Sequence, residues 1–279
     1  MSLPDLLIEP VVRAALLEDL GRAGDITAQA VIPADTRLTA AFRARGDGVV
    51  AGVDCARLAM ACVDPGVRFE TLLGDGSRIG RGDIIARVDG PARSILMAER
   101  VALNLLCHLS GVATLTARYV AAVAGTQAKI AGTRKTLPGL RALQKHAILA
   151  GGGTSHRYGL DDAMLIKDNH IAACGGIGPV MERAKAKAGH LVRIEIEVDS
   201  LDQLREALPW RPDVVLLDNF SLDGLLEAVA LTAGQVVLEA SGGVSLDTVR
   251  AIAEAGIDVI SVGALTHSAP NFDVGLDAV

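Results

Sequence analysis

From Ala128 to Leu265 the chain alternates short aliphatic runs with longer amphipathic stretches. AKIAGT, AMLIKDN, VRIEIEV, VVLLDN, QVVLEASG and DVISVGAL read as strands. GGIGPVMERAKAKAG, LDQLREAL, LDGLLEAVALTAG and SLDTVRAIAEAG read as the helices between them. Apolar runs alternating with helical periodicity predict βα units on a parallel sheet. Six of them suggest a closed or nearly closed β/α barrel, with an open doubly wound sheet as the alternative.

The chain before Ala128 has a different rhythm. A helix over Pro10–Leu20 precedes GRAGDITAQAVIP, which reads as a loop, and RLTAAFRARGDGVVAG, which alternates like a strand. A helix, VDCARLAMACV, follows. VRFETLLGDGSRIGRGDIIARVDGP then reads as short extended segments joined by Gly-Asp turns, the pattern of a small antiparallel sheet. PARSILMAERVALNLLCHLSGVATLTARYVAAVAG is a long helical bridge to the second part. The Gly-Asp hairpins look like those of a lipoyl or biotinyl carrier domain, but the first lysine of the chain is Lys129, so no residue is present to carry the prosthetic group.

Composition narrows the class. Of 279 residues, half are hydrophobic but only 3% are aromatic, so Ala, Val, Leu and Ile must build the core, as they do where helices cover buried parallel strands. The expected class is α/β. No uninterrupted apolar run reaches the roughly 18 residues of a membrane span, and the acids within the N-terminal apolar stretch are unlike a signal peptide. The expected location is cytoplasmic, with no membrane partner. Cys55, Cys62, Cys107 and Cys174 lack CxxC spacing and read as free thiols.

Charge is unevenly spread. Between Arg100 and Leu160 there are eight Lys or Arg and no acid; the remaining 19 cations face 33 acids, a balance of −14 against −6 for the whole chain. Nucleic acid is excluded as the partner, because the cationic segment lacks interleaved aromatics and the chain is acidic overall. Arg141 and Lys145, four apart, fit a solvated helix face. Arg134, Lys135 and Arg157 do not.

The candidate chemistry stands at the strand ends: Thr133, Arg134 and Lys135, then Lys167, Asp168 and Asn169, then Glu197 and Asp199, then Asp218 and Asn219, then Ser241, Gly242 and Gly243, then Gly263 and Ala264. In β/α barrels that end carries the active-site loops. Period-2 alternation in RIEIEVD puts Arg193, Glu195, Glu197 and Asp199 on one face, and buried carboxylates need cations or a metal. Arg suits a bidentate grip on carboxylate or phosphate, and carboxylates hold Mg²⁺ against a substrate's phosphates. Ser-Gly-Gly and Val-Gly-Ala before helices suit a phosphate. These residues predict a polyanionic, phosphorylated substrate. They leave open a Schiff-base aldolase using Lys135 or Lys167, or a non-catalytic anion-binding protein.

Longer motifs carry a resemblance. TRKTLPGLRALQKHA, GGGTSHRYGLDDAMLIKDNHI, IEVDSLDQL, LLDNFS, LEASGGVSLDTV and ISVGALTHSAP, with EDLGRAGDITAQAVIP and ERVALNLLCHLSGVAT, resemble the quinolinate phosphoribosyltransferases from about Glu18 to Pro270. The resemblance implies an N-terminal α/β sandwich over 1–110, joined by the tail 270–279, and an open seven-stranded β/α barrel over 111–269, assembled as a homodimer. It also implies the reaction, in which quinolinate and phosphoribosyl pyrophosphate give nicotinate mononucleotide, pyrophosphate and carbon dioxide with Mg²⁺.

The same resemblance implies roles. Arg134, His156 and Arg157 would bind quinolinate with Thr133, and Arg100 would reach the neighbouring subunit's site. Lys135 and Lys167 would lie near the phosphoribosyl and pyrophosphate groups. Glu197 and Asp218 would hold the metal-bound ribose pyrophosphate, and Lys135, Glu197 and Asp218 would be catalytic. Ser241, Gly242, Gly243, Gly263 and Ala264 would form the 5′-phosphate loops. Gly132 and Ser155 depart from the family's common Asp and Asn. A sister group linked to molybdate transport keeps TRKT but lacks the Lys-Asp-Asn-His run, so Lys167–His170 favours the quinolinate enzyme.

Overall fold

The computed structural model describes residues 3–279. In chain order the elements are α1 (Asp5–Leu20), α2 (Ile26–Val31), β1 (Arg37–Ala44), β2 (Gly48–Val49), α3 (Val53–Val63), β3 (Arg68–Thr71), β4 (Arg78–Ile79), β5 (Ile84–Pro91) and α4 (Ala92–Ala122). They continue with β6 (Lys129–Gly132), α5 (Arg141–Ala150), β7 (Thr154–Ser155), β8 (Met164–Ile166), α6 (Asp168–Cys174), α7 (Ile177–Lys187) and β9 (Ile194–Val198). The last are α8 (Leu201–Ala207), β10 (Val214–Asp218), α9 (Leu222–Thr232), β11 (Val237–Ser241), α10 (Val249–Glu254), β12 (Val259–Ser261), α11 (Ala264–His267) and β13 (Val274–Ala278). The chain packs as two compact units. One comprises the residues up to Ala117 with Thr136–Gly152 and Leu265–Val279; the other comprises Arg118–Lys135 and Gly153–Ala264.

The first unit is built on an antiparallel sheet of order β13-β1-β5-β3. The C-terminal strand joins it, pairing Phe42 with Leu276 and Ala44 with Val274. The N-terminus of α3 is fixed by a carboxylate: Asp75 accepts from the backbone N–H groups of Gly52 and Val53 at 3.0 Å and bonds His146 Nε2 at 2.8 Å. Gly52 has φ 94°, and a Cβ there would strike Leu109, so only glycine serves that turn. The segment read as a loop after Leu20 contains α2, whose N-cap Asp25 accepts from Ala28 N at 2.9 Å; the helix is one and a half turns long and gives little periodicity to read. α1 starts at Asp5, before the predicted Pro10, which sits inside the helix.

Helix α4 is, among the described residues, the one helix long and apolar enough to cross a membrane, and 61% of its most apolar window is buried inside the protein. It is a mostly buried helix of the kind that forms a protein core. Helix α5 departs from the expected solvated face: Lys145 is only 4% exposed, beside buried Leu143, Gln144, Ala147 and Ile148. Gln144 bonds in three directions, accepting from Leu137 N at 2.9 Å, donating to Thr266 O at 2.9 Å and facing His108 Nε2 at 2.9 Å. The four-residue spacing of Arg141 and Lys145 was a sound helix signal but says nothing about which face is covered.

The second unit is a seven-stranded parallel sheet of order β7-β6-β12-β11-β10-β9-β8, an open half-barrel. Strand β12 returns to pair with β6, which rules out the doubly wound order and nearly closes the ring. Among the described residues no ladder joins β7 to β8. The opening therefore falls between them, and the segment that crosses it carries His156 and Arg157. Strand β7 is two residues long, too short to show as an apolar run, so the pattern revealed six strands of the seven.

Candidate active site

At the C-terminal ends of the half-barrel strands lies a cavity of about 400 Å³, lined by Thr133, Arg134, Lys135, His156, Arg157, Leu165, Lys167, Glu197, Leu216, Asp218, Glu239, Ser241 and Ser261. Each strand delivers its side chain through local geometry. After β6, Thr133 Oγ1 accepts from Lys135 N at 3.0 Å, a tight turn that presents Arg134 and Lys135 together. After β8, Lys167 N donates to His170 Nδ1 at 2.9 Å, which closes the first turn of α6, while Lys167 Nζ forms an ion pair with Glu197. On β9 the expected column of four charges shrinks to two. Glu195 and Glu197 stay in the strand, whereas Arg193 and Asp199 lie beyond its ends and are exposed.

One wall of the cavity is a cluster of acids around His156, which with Glu239 and Ser261 lines it. The His156 Nδ1 accepts from Arg157 N at 2.7 Å, so the ring proton belongs on Nε2. That nitrogen faces Glu195 Oε2 at 3.2 Å and Glu239 Oε1 at 3.5 Å. The Ser261 hydroxyl donates to Glu239. Glu195 Oε1 and Arg157 Nε are buried without a hydrogen-bond partner. Burial, then the neighbouring Glu195, pushes the Glu239 carboxyl up to about 7, against the pull of His156 and Ser261. Burial and the adjacent Arg134 lower the Arg157 guanidinium, although a guanidinium stays charged under any ordinary condition. The site is thus a cationic rim beside two buried acids that share few protons.

Nine predicted residues meet in this cavity: Thr133, Arg134, Lys135, His156, Arg157, Lys167, Glu197, Asp218 and Ser241. Gly242, Gly243, Gly263 and Ala264 stand outside its lining, the glycines on the loops that leave β11 and β12 and Ala264 at the start of α11, and Arg100 is exposed on α4. Gly242 and Gly243 both have positive φ, 91° and 60°, the conformation their loop requires of glycine. Sequence reasoning missed Glu239 and Ser261 as site residues, and Leu165 and Leu216 with them. The available signal was a lone acid in the apolar run VVLEAS, which has to find a partner if it is buried.

Two donor sets are candidates for a cation. Glu197 and Asp218 line the cavity from neighbouring strands and offer only oxygen, which suits a hydrated Mg²⁺ shared with substrate phosphates. His156, Glu195 and Glu239 place ligand-type atoms within 4.8 Å of one another. The Ser261 hydroxyl already points into that second set, and guanidinium groups line the same cavity, so it is better suited to holding protons.

Two family models match consecutive parts of the chain. The family model for the quinolinate phosphoribosyl transferase N-terminal domain matches residues 25–110, and that for the C-terminal domain matches 112–277. The chain is 48% identical to a nicotinate-nucleotide pyrophosphorylase [carboxylating] of Mycobacterium leprae (strain TN), over 95% of each chain. It is 40% identical to a probable nicotinate-nucleotide pyrophosphorylase [carboxylating] of Bacillus subtilis (strain 168), over 98% of this chain and 93% of the other. Among solved structures, the nicotinate-nucleotide pyrophosphorylase from Francisella tularensis superposes with a TM-score of 0.95 at 38% identity, covering 100% of this chain and 98% of that one.

Proposed function

The chain belongs to the quinolinate phosphoribosyltransferase family and carries that activity in NAD biosynthesis, and we propose that its half-barrel cavity is where quinolinate meets phosphoribosyl pyrophosphate. The enzyme is a pentosyltransferase, a carboxylating nicotinate-nucleotide pyrophosphorylase. The observation that carries the site reading is the convergence of nine predicted residues, from the ends of six strands, on one cavity of about 400 Å³. Membership of the family sets aside the aldolase reading, and the ion pair between Lys167 and Glu197 argues the same way, since a Schiff-base lysine needs a neutral amine.

In this reading Arg134 and Arg157 grip the two carboxylates of quinolinate, each guanidinium offering paired donors. Thr133 and His156 complete that wall. Because both nitrogens of His156 are engaged, its main task is to hold the turn that presents Arg157. Leu165 and Leu216 give the pyridine ring an apolar surface. Lys135 and Lys167 balance the charge of the phosphoribosyl and pyrophosphate groups. The backbone N–H groups of Ser241, Gly242, Gly243, Gly263 and Ala264 receive the 5′-phosphate.

Glu197 and Asp218 would hold Mg²⁺, which when bound supplies charge neutralisation for the departing pyrophosphate. The same two carboxylates face the carbon that becomes electron-poor as the glycosidic bond to pyrophosphate lengthens, and they stabilise it electrostatically. The pyridine nitrogen attacks that carbon. The C2 carboxylate then leaves as carbon dioxide, its bonding electrons stay on C2 beside the cationic ring nitrogen that stabilises them, and C2 takes up a proton from water to give nicotinate mononucleotide, while the arginines keep the ring oriented. Arg100 completes the site of a neighbouring subunit in a homodimer. The four free cysteines fit a reducing compartment, the cytoplasm.

Incubation with quinolinate, phosphoribosyl pyrophosphate and Mg²⁺ should yield nicotinate mononucleotide, pyrophosphate and carbon dioxide in equal amounts. Omitting Mg²⁺ should stop the reaction; full turnover in a chelator would remove the metal from this reading.

A further inference from the structure

We propose that Asn219 is a positioning residue for the phosphoribosyl pyrophosphate half of the site, locking the Asp218 carboxylate to the Ser241–Gly242 loop; this rests on the assignment of those residues to that substrate.

Three non-glycine residues among those described have a left-handed backbone: Arg211, Asn219 and Ala233. Arg211 and Ala233 end helical turns, where such a residue is ordinary. Asn219, at φ 57°, instead directly follows strand β10, next to the cavity-lining Asp218. Asparagine tolerates that conformation better than most residues, but tolerance alone does not account for its contacts.

Those contacts run to two strand ends at once. The side-chain Nδ2 of Asn219 donates to Asp218 Oδ2 at 2.7 Å. The amide orientation follows from chemistry, since its oxygen against a carboxylate would repel. The backbone N–H of Asn219 donates to Ser241 O at 2.9 Å, extending the β10–β11 ladder past the register pair Asp218 and Ser241. The side-chain oxygen of Asn219 fills the space a Cβ at Gly242 would need. One residue therefore occupies Asp218 Oδ2 and, beside the left-handed φ of Gly242, gives a second reason why position 242 carries no side chain.

A positioning role separates binding of the two substrates. Asn219→Gly keeps the left-handed backbone without strain and removes only the amide. It should raise the Kd of phosphoribosyl pyrophosphate with Mg²⁺, by calorimetry, about tenfold, the size of one charge-assisted hydrogen bond. Its KM should rise in parallel, while the Kd of quinolinate stays within about twofold, below the effect of any direct contact. Asn219→Asp keeps the shape but sets a second negative charge beside Asp218, and should cost more. Gly242→Ala should be somewhat less harmful in the Asn219→Gly background than alone, because the side-chain part of the clash is gone while the close backbone N of residue 219 and the φ of 91° remain.

Asp218→Asn, measured in parallel, separates this inference from the reading beneath it. If Asp218→Asn weakens phosphoribosyl pyrophosphate but Asn219→Gly does not, the positioning role is wrong. If neither does, the substrate assignment itself falls. Equal loss of both substrates in Asn219→Gly would show a merely structural residue and also overturn the proposal.

Discussion

Among the described residues two histidine–carboxylate clusters are made of the same chemical groups, one in each unit, and they have opposite characters. In the first unit Asp75 collects two backbone N–H donors and His146. Burial alone would raise its carboxyl, yet these bonds outweigh burial and hold it below the ordinary range. In the half-barrel, two carboxylates share His156 and Ser261, Glu195 Oε1 lacks a partner, and Glu239 is pushed up to about 7. A cluster with enough donors stabilises a helix start. A cluster with too few is a costly arrangement for folding alone, and it forms one wall of the cavity where strand ends bring the chemistry together.

The comparison breaks cleanly if lesions in one region produce the other's symptoms. The largest expected effect is on catalysis. Lys135 is exposed at the cavity rim, so Lys135→Ala should lower kcat/KM by about two to three orders of magnitude, as loss of one charge-stabilising group does. Its unfolding midpoint in urea should match the parent's. A matching loss of stability would mean that the rim is structural.

Next comes stability. Asp75→Ala removes the carboxylate that accepts from Gly52 and Val53 at the start of α3 and leaves those two N–H donors and His146 without it. A cost of about 3 kcal/mol is expected from breaking such a buried pair, seen in urea unfolding, with KM for quinolinate unchanged. The acid limb should change as well. Because the folded carboxyl of Asp75 is lowered from 3.8, its stabilisation is present above that value and is lost as pH falls through the folded pKa. The variant should therefore lose less stability on acidification than the parent.

The smallest effect has the opposite sign. Glu239 is raised from 4.5 to about 7, so the folded state holds a proton that the unfolded chain releases. Its contribution is fully present below 4.5 and is lost as pH climbs to about 7. Glu239→Gln should flatten that loss between pH 5 and 8, measured as urea midpoint against pH. In the parent, ionisation of Glu239 adds negative charge beside an anion site, so quinolinate KM should rise severalfold as pH passes about 7, a modest effect at this distance from solvent screening. An equally steep rise in Glu239→Gln would assign it to another group.

Which parts of this were legible in the chain follows from where physical information resides. VDCARLAMACV is α3 residue for residue, because a helix of eleven residues repeats its pattern three times. The half-barrel strands were visible as apolar runs, and their charged ends were visible as a list. Strand β7, two residues long, carries no periodicity, and α6 hides behind the Lys-Asp-Asn-His run it begins with. The burial of Lys145 and the pairing of Glu239 with His156 depend on which neighbours the fold supplies, and spacing within one segment contains none of that. Glu195 was read on the correct face of β9, but its partner His156 comes from the exit of β7, a separate element earlier in the chain.

The most direct test of the account is calorimetric titration of quinolinate into the parent enzyme and Arg157→Glu. The parent should bind, and the variant should lose about a thousandfold or more in affinity, since reversing one member of a carboxylate clamp replaces attraction with repulsion, while melting as the parent does. Parent-like affinity in Arg157→Glu would contradict the assignment of the half-barrel cavity to quinolinate.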